Sequence, residues 1–160
     1  MVPPGGRAVT EQELGSVEAE LSAHIEASYL FRSLDEEGRR SLIESGYVLS
    51  FDEGDTILRQ GEPGDTMFLV LSGSVNIFHA EDGTETRLAK LGEGACLGEV
   101  SVLTGGVRTA TVRARSERVD LICLHKHRIE RILAQYPKVR AVLESLVARR
   151  AQVTIDKLRR

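Results

Sequence analysis

The chain has 160 residues, 41% hydrophobic and 28% charged, with a formal net charge of −3. That is the composition of an ordinary globular domain with a real core, and the acidic balance argues against the basic surface of a nucleic-acid binder. No run approaches the roughly 18 apolar residues of a membrane span, and the opening Met-Val-Pro-Pro-Gly-Gly-Arg has no apolar stretch of the signal-peptide kind.

Residues 1–10, which include Pro3, Pro4, Gly5 and Gly6, are predicted to be disordered. Residues 11–45 read as an N-terminal helical segment. Leu14, Val17, Leu21 and Ile25 recur at spacings of three and four and predict one amphipathic helix over Glu11–Ala27. Tyr29-Leu30-Phe31 reads as a compact apolar turn. A second helix opens at Ser33-Leu34-Asp35-Glu36-Glu37, where Ser33 can cap and acids fill the first turn. Leu42 and Ile43 lie on its inner face, and Gly46 ends it.

From Tyr47 the pattern changes to short strands over residues 46–125. Tyr47–Phe51, Thr56–Gln60, Met67–Leu71, a strand through Val75 and Ile77, Thr86–Leu91, Thr109–Ala114 and Arg118–Leu124 are separated by turns such as Asp52-Glu53-Gly54, Gly61-Glu62-Pro63-Gly64-Asp65, Ser72-Gly73 and Glu81-Asp82-Gly83-Thr84. The expected fold is α+β: a small antiparallel β-roll, jelly-roll-like, with N-terminal helices, a short helix inside the roll and two C-terminal helices.

The short helix belongs to Gly92–Arg113, which reads as an anion site. Gly98 lets the backbone approach a ligand closely, having no Cβ. Glu99–Leu103 is long enough for one short helix, stopped by Gly105 and Gly106, and a helix N-terminus offers free N–H groups to a phosphate. Arg108 supplies a planar fork of donors, and Thr109 adds a hydroxyl. Glu99 repels phosphate, so it makes sense as the acceptor for a neighbouring hydroxyl such as a sugar 2′-OH. An anion site beside a hydroxyl acceptor suggests a ligand of nucleotide size.

After the roll, residues 126–160 return to helix as lid or partner helices. Lys126–Gln135 is one, and Pro137, favourable at a helix start, begins another that reaches Leu158. Val139, Val142, Leu143, Leu146 and Val153 share a face of this last helix, with Arg150 in their midst; Val147, Ala151, Ile155 and Leu158 form an adjoining stripe suited to packing on another copy. Two readings of Arg150 stay open. It extends its stem and keeps its head in water or pairs with an acid, or it reaches a ligand as the helix closes over it. Cys96 and Cys123 read as free buried thiols of a reducing cytoplasm, and the histidines have no metal-ligand spacing with them.

Gly98-Glu99 followed by Arg108-Thr109-Ala110-Thr111-Val112 resembles the phosphate-binding cassette of cyclic nucleotide-binding domains, and the Gly-x-x-Gly-Asp of Gly61–Asp65 resembles a turn of the same family. The family includes kinase regulatory subunits, cyclic-nucleotide-gated channels and the bacterial catabolite activator protein; the resemblance spans roughly residues 29–150. Cys96-Leu97 departs from it, since many members carry an aromatic residue just before the Gly-Glu pair. The resemblance implies a cyclic-nucleotide sensor, cAMP with cGMP tolerated, rather than an enzyme. Arg108 and backbone N–H groups of the 98–101 region (Gly98, Glu99, Val100 and Ser101) and of Thr109 and Ala110, beside Leu97, would hold the cyclic phosphate, and Glu99 the ribose 2′-OH. Ile77, Ala89 and Leu91 would line the base, with Arg150 as a lid arginine after Tyr136-Pro137. Neither metal nor cofactor is expected beyond that ligand, and no direct contact with nucleic acid or membrane. A homodimer or protein partner at the terminal helices is expected, as is a cytoplasmic location. The competing expectations are a nucleotide-free relative used for protein contacts and an effector domain of a larger regulator or channel.

Overall fold

The structure, a computed structural model, describes residues 5–159. Its elements in chain order are β1 Arg7–Ala8, α1 Glu11–Ser22, α2 Ile25–Arg32, α3 Glu36–Glu44, β2 Tyr47–Asp52, β3 Thr56–Leu58, β4 Thr66–Ser72, β5 Val75–Glu81, β6 Thr84–Leu91, β7 Cys96–Leu97, α4 Glu99–Thr104, β8 Thr111–Ala114, β9 Arg118–His125, α5 Lys126–Gln135 and α6 Pro137–Leu158. This is the expected α+β fold. Two sheets, ordered β1-β2-β9-β4-β7 and β3-β8-β5-β6, are antiparallel throughout.

The central strands β4 and β9 of the five-stranded sheet are buried on both faces, which explains why β4 is an unbroken apolar run rather than an alternating one. Phe68, Val70, Leu121 and Cys123 point into the space between the sheets, where they meet Leu58, Val75, Leu97 and Val112. Met67, Leu69, Ile122 and Leu124 point the other way, into a larger core with Leu21, Phe31, Ile43, Ile129, Val139 and Leu143. The helices therefore cover one sheet, and the second sheet keeps a face for a ligand.

The N-terminal third departs from expectation. The disorder expected over residues 1–10 falls in part on 1–4, outside the described residues. Arg7 and Ala8 pair with Val48 and Tyr47, giving the edge of β2 a partner. The single helix expected over Glu11–Ala27 is two. α1 stops at Ala23, where the Ala23 N–H donates to the Glu20 carbonyl at 3.3 Å and the His24 N–H to the Leu21 carbonyl at 3.0 Å, and α2 restarts at Ile25. α2 takes in Tyr29-Leu30-Phe31, expected as a turn, and buries Leu30 and Phe31; Ile25 falls outside the stripe and is 72% exposed. Asp35, not Ser33, caps α3, its Oδ1 accepting from the Gly38 N–H at 2.7 Å and from the Tyr136 hydroxyl at 2.8 Å. Ser45, not Gly46, is the C-cap.

Candidate functional site

Arg108 is 7% exposed and is held from three directions. Its Nη1 donates to Ser101 Oγ at 2.6 Å, to the Thr66 carbonyl at 2.8 Å and to the Gly98 carbonyl at 3.3 Å; its Nη2 donates to Thr66 Oγ1 at 2.8 Å. The main chain is fixed too: Gly61 N–H donates to Arg108 O at 2.9 Å and Arg108 N–H to Glu62 O at 2.8 Å. The Gly61–Asp65 turn is thus one wall of the arginine's socket. A Cβ on Gly64 would collide with Nε and Cζ of Arg108, so glycine is needed there for contact rather than for backbone freedom. Gly98 needs both: φ is 80°, and a Cβ would lie 2.7 Å from Thr66 O and Arg108 Nη1.

Every partner of the guanidinium is a neutral oxygen. Burial lowers the Arg108 pKa, with Asp65 opposing, and no carboxylate among the described residues forms an ion pair with it. Four hydrogen bonds leave Nε–H and one Nη2–H without an acceptor among the described residues. These two lie on one edge of the planar group, the edge that grips an oxyanion bidentately. A buried cation without a counter-ion is costly unless an anion arrives.

Glu99, 3% exposed, opens α4. Arg150 of α6 reaches it, donating from Nη1 to Glu99 Oε1 at 2.8 Å and to the Cys96 carbonyl at 2.5 Å. From Nη2 the same arginine donates to both oxygens of Glu26 on α2, at 2.7 and 2.8 Å. Of the two readings of Arg150, pairing with acids describes this arrangement. Burial works against its charge, but Glu99 and Glu26 outweigh it and raise its pKa. Burial raises the Glu26 pKa, Arg150 only partly offsetting it.

These groups line one cavity of about 500 Å³, within the range of small-molecule sites. Leu97, Gly98, Glu99, Val100, Arg108, Thr109 and Ala110 form one side, Ile77, Ala89 and Leu91 the sheet wall, and Arg150 the helical side. The structure brings all of the expected residues together. It adds Leu58, Leu88 and Val112 to the wall, and His79, whose Nδ1 lies 3.4 Å from the Thr109 carbonyl, so the wall is not wholly aliphatic. It also turns Val147, Ala151 and Ile155 toward the cavity, a correction to the reading of that stripe as a surface for another copy. Sequence reasoning does not single out the side chains of Thr66, Ser101 or Glu26, which are ordinary polar groups whose role depends on what folding puts beside them.

Among the described residues no cluster of three His, Cys, Asp or Glu side chains could hold a metal, and no helix is long and apolar enough to cross a membrane. Cys96 and Cys123 are free and buried; burial pushes both thiols up, Cys123 to about 11, so neither is an activated nucleophile.

The chain is similar to known proteins of one family. The chain is 41% identical over 99 residues to a cyclic nucleotide-gated cation channel of Drosophila melanogaster, covering 58% of this chain and 14% of the channel polypeptide. It is 28% identical over 130 residues to a CRP-like cAMP-activated global transcriptional regulator of Mycobacterium tuberculosis, covering 81% of this chain and 58% of the regulator. It therefore spans only part of these relatives' own length. The catabolite activator protein of Thermus thermophilus superposes with a TM-score of 0.71 at 31% identity, over 81% of this chain and 61% of that one. The family profile described as cyclic nucleotide-binding domain matches residues 48–136, from β2 to the turn before α6, and the chain belongs to that family.

Proposed function

We propose that the chain is a cyclic-nucleotide sensor whose ligand is cAMP, with cGMP tolerated, and whose output runs through its helices. The observation that carries this is Arg108: a buried guanidinium in an apolar cavity, bound only to neutral oxygens, with one donor edge open. The cyclic phosphate sits on that edge. Glu99 accepts from the ribose 2′-OH, and the purine lies between the wall of Ile77, Ala89 and Leu91 and the face of α6 that carries Val147 and Ala151. A neutral ligand would leave the cation uncompensated.

α6 packs on α4, β6 and α2, so a ligand that draws α4 inward favours a different seating of α6. That is a switch only if the ligand binds one arrangement better. The reading is of a regulatory binding module in a cytoplasmic setting, consistent with two free thiols, and not of a catalyst or a nucleic-acid binder. Leu158, 37% exposed at the end of α6 and outside the cavity lining, offers apolar surface for a protein partner or second copy.

The test is titration with a fluorescent cAMP analogue, competed by cAMP and cGMP. Micromolar or tighter binding is expected, with the two nucleotides within about tenfold, or about 1.4 kcal/mol, because phosphate and ribose are common to both. No binding of either would overturn the proposal in favour of a nucleotide-free relative.

A further inference from the structure

Glu26 is far from the cassette in sequence, yet it belongs to the same charge network. It sits on α2, and both of its carboxylate oxygens accept from Arg150 Nη2. The other arm of Arg150, Nη1, meets Glu99 through Oε1 alone. The arginine fork is therefore divided, one nitrogen to each acid. A guanidinium facing a single carboxylate tends instead to close on both oxygens with two parallel bonds. If Arg150 did this with Glu99, it would occupy the oxygen that a ligand hydroxyl needs.

We infer that Glu26 is a positioning residue of the ribose site: by holding Nη2, it prevents Arg150 from closing on Glu99 with both arms and leaves Glu99 Oε2 free to accept the ribose 2′-OH. The inference rests on the reading of this cavity as a cyclic-nucleotide site. The burial of the three side chains supports it. The side chains of Glu26, Arg150 and Glu99, taken apart from their backbone, are 20%, 23% and 4% exposed, so water does little to loosen the geometry. The stoichiometry supports it as well. One cation faces two carboxylates, and a second buried acid is an expensive way to stabilise a helix contact. As a means of dividing one fork it has a use. The arrangement also ties α2 to α6 and to the cassette through a single guanidinium.

The experiment measures the affinities of cAMP and 2′-deoxy-cAMP for the full chain, its Glu26→Gln and Glu26→Asp variants, and Arg150→Lys with and without Glu26→Gln. Thermal melts establish that each variant is folded. The wild type is expected to prefer the ribose ligand. Glu26→Gln reduces that preference about three- to tenfold, the worth of one hydrogen bond, while the affinity for 2′-deoxy-cAMP changes less than about twofold. Glu26→Asp restores part of the preference. In Arg150→Lys, which has no fork to divide, Glu26→Gln leaves the preference unchanged. If Glu26→Gln lowers both affinities equally, Glu26 serves only to hold the helices, and the inference fails; it fails also if neither affinity moves. A wild type that binds neither nucleotide overturns the sensor reading itself, a result separable from both of these, and the inference falls with it.

Discussion

Replacing Arg108 by alanine separates ligand binding from folding. The open edge of the guanidinium, Nε–H and one Nη2–H, supplies two charge-assisted hydrogen bonds to a phosphate, each worth about 1.5–3 kcal/mol. Losing both removes about 3–6 kcal/mol, less whatever water recovers in the vacated space. At about 1.4 kcal/mol per factor of ten, the affinity for cAMP should fall at least about a hundredfold. Stability without ligand should change far less. The variant loses the bonds to Thr66, Ser101 and Gly98, but it also sheds a buried cation whose desolvation opposes them by several kcal/mol. The net cost should stay under about 2 kcal/mol, and for a chain of this size each kcal/mol moves Tm by about 2–4 °C. Titration with a fluorescent cAMP analogue and a melt of the unliganded protein measure the two quantities. Arg108→Lys, which keeps the charge as a single point, should fall between the wild type and Arg108→Ala. An Arg108→Ala protein that binds cAMP within about threefold of the wild type would refute the assignment of the phosphate to this edge.

Gly64→Ala should weaken cAMP binding about tenfold or more, because the new methyl collides with Nε and Cζ of Arg108 and overpacking of this kind costs about 1–3 kcal/mol; binding isotherms equal to wild type would mean that the turn yields instead. Truncation after Ala148 should lower affinity while the protein still melts cooperatively, since it removes Arg150, Ala151 and Ile155 from the cavity but keeps Val139, Leu143 and Leu146 in the core. Burial raises the Glu26 pKa above its ordinary 4.5, so between that value and the folded one the native state holds a proton that the unfolded chain has lost. Its contribution to stability therefore declines as pH rises through that window, and Glu26→Gln should abolish that component. The check is the difference in Tm between wild type and variant across about pH 4–8, which should change with pH in the stated sense; a flat difference refutes it.

The sequence alone carried the strand-and-turn rhythm, the last two helices and the cassette. Each of these depends on local chemistry. Gly98 is required by a left-handed backbone, Pro137 starts a helix, and Gly105 at φ 72° ends one. The anion site was legible because Gly98, Glu99 and Arg108 lie within one loop-helix-strand segment. Where burial decides, local pattern failed. Helical spacing runs unbroken from Leu14 to Ile25, and only packing on the five-stranded sheet shows that the helix must break at Ala23 so that Leu30 and Phe31 enter the core. The stripe of Val147, Ala151 and Ile155 is apolar in either reading, and the position of α6 against β6 and α4 assigns it to the cavity. Thr66 and Ser101 have no signature as holders of Arg108. A hydroxyl accepts from a guanidinium only once the chain has brought it within about 3 Å, and the turn that does so is closed by the backbone bonds of Gly61 and Glu62 to Arg108. Glu26 is the extreme case. On its own helix it is one more acid in a first turn; only the crossing of α2 and α6 gives it half of an arginine, because an ion pair is defined by distance in space and sequence spacing bears on that distance only within a single element.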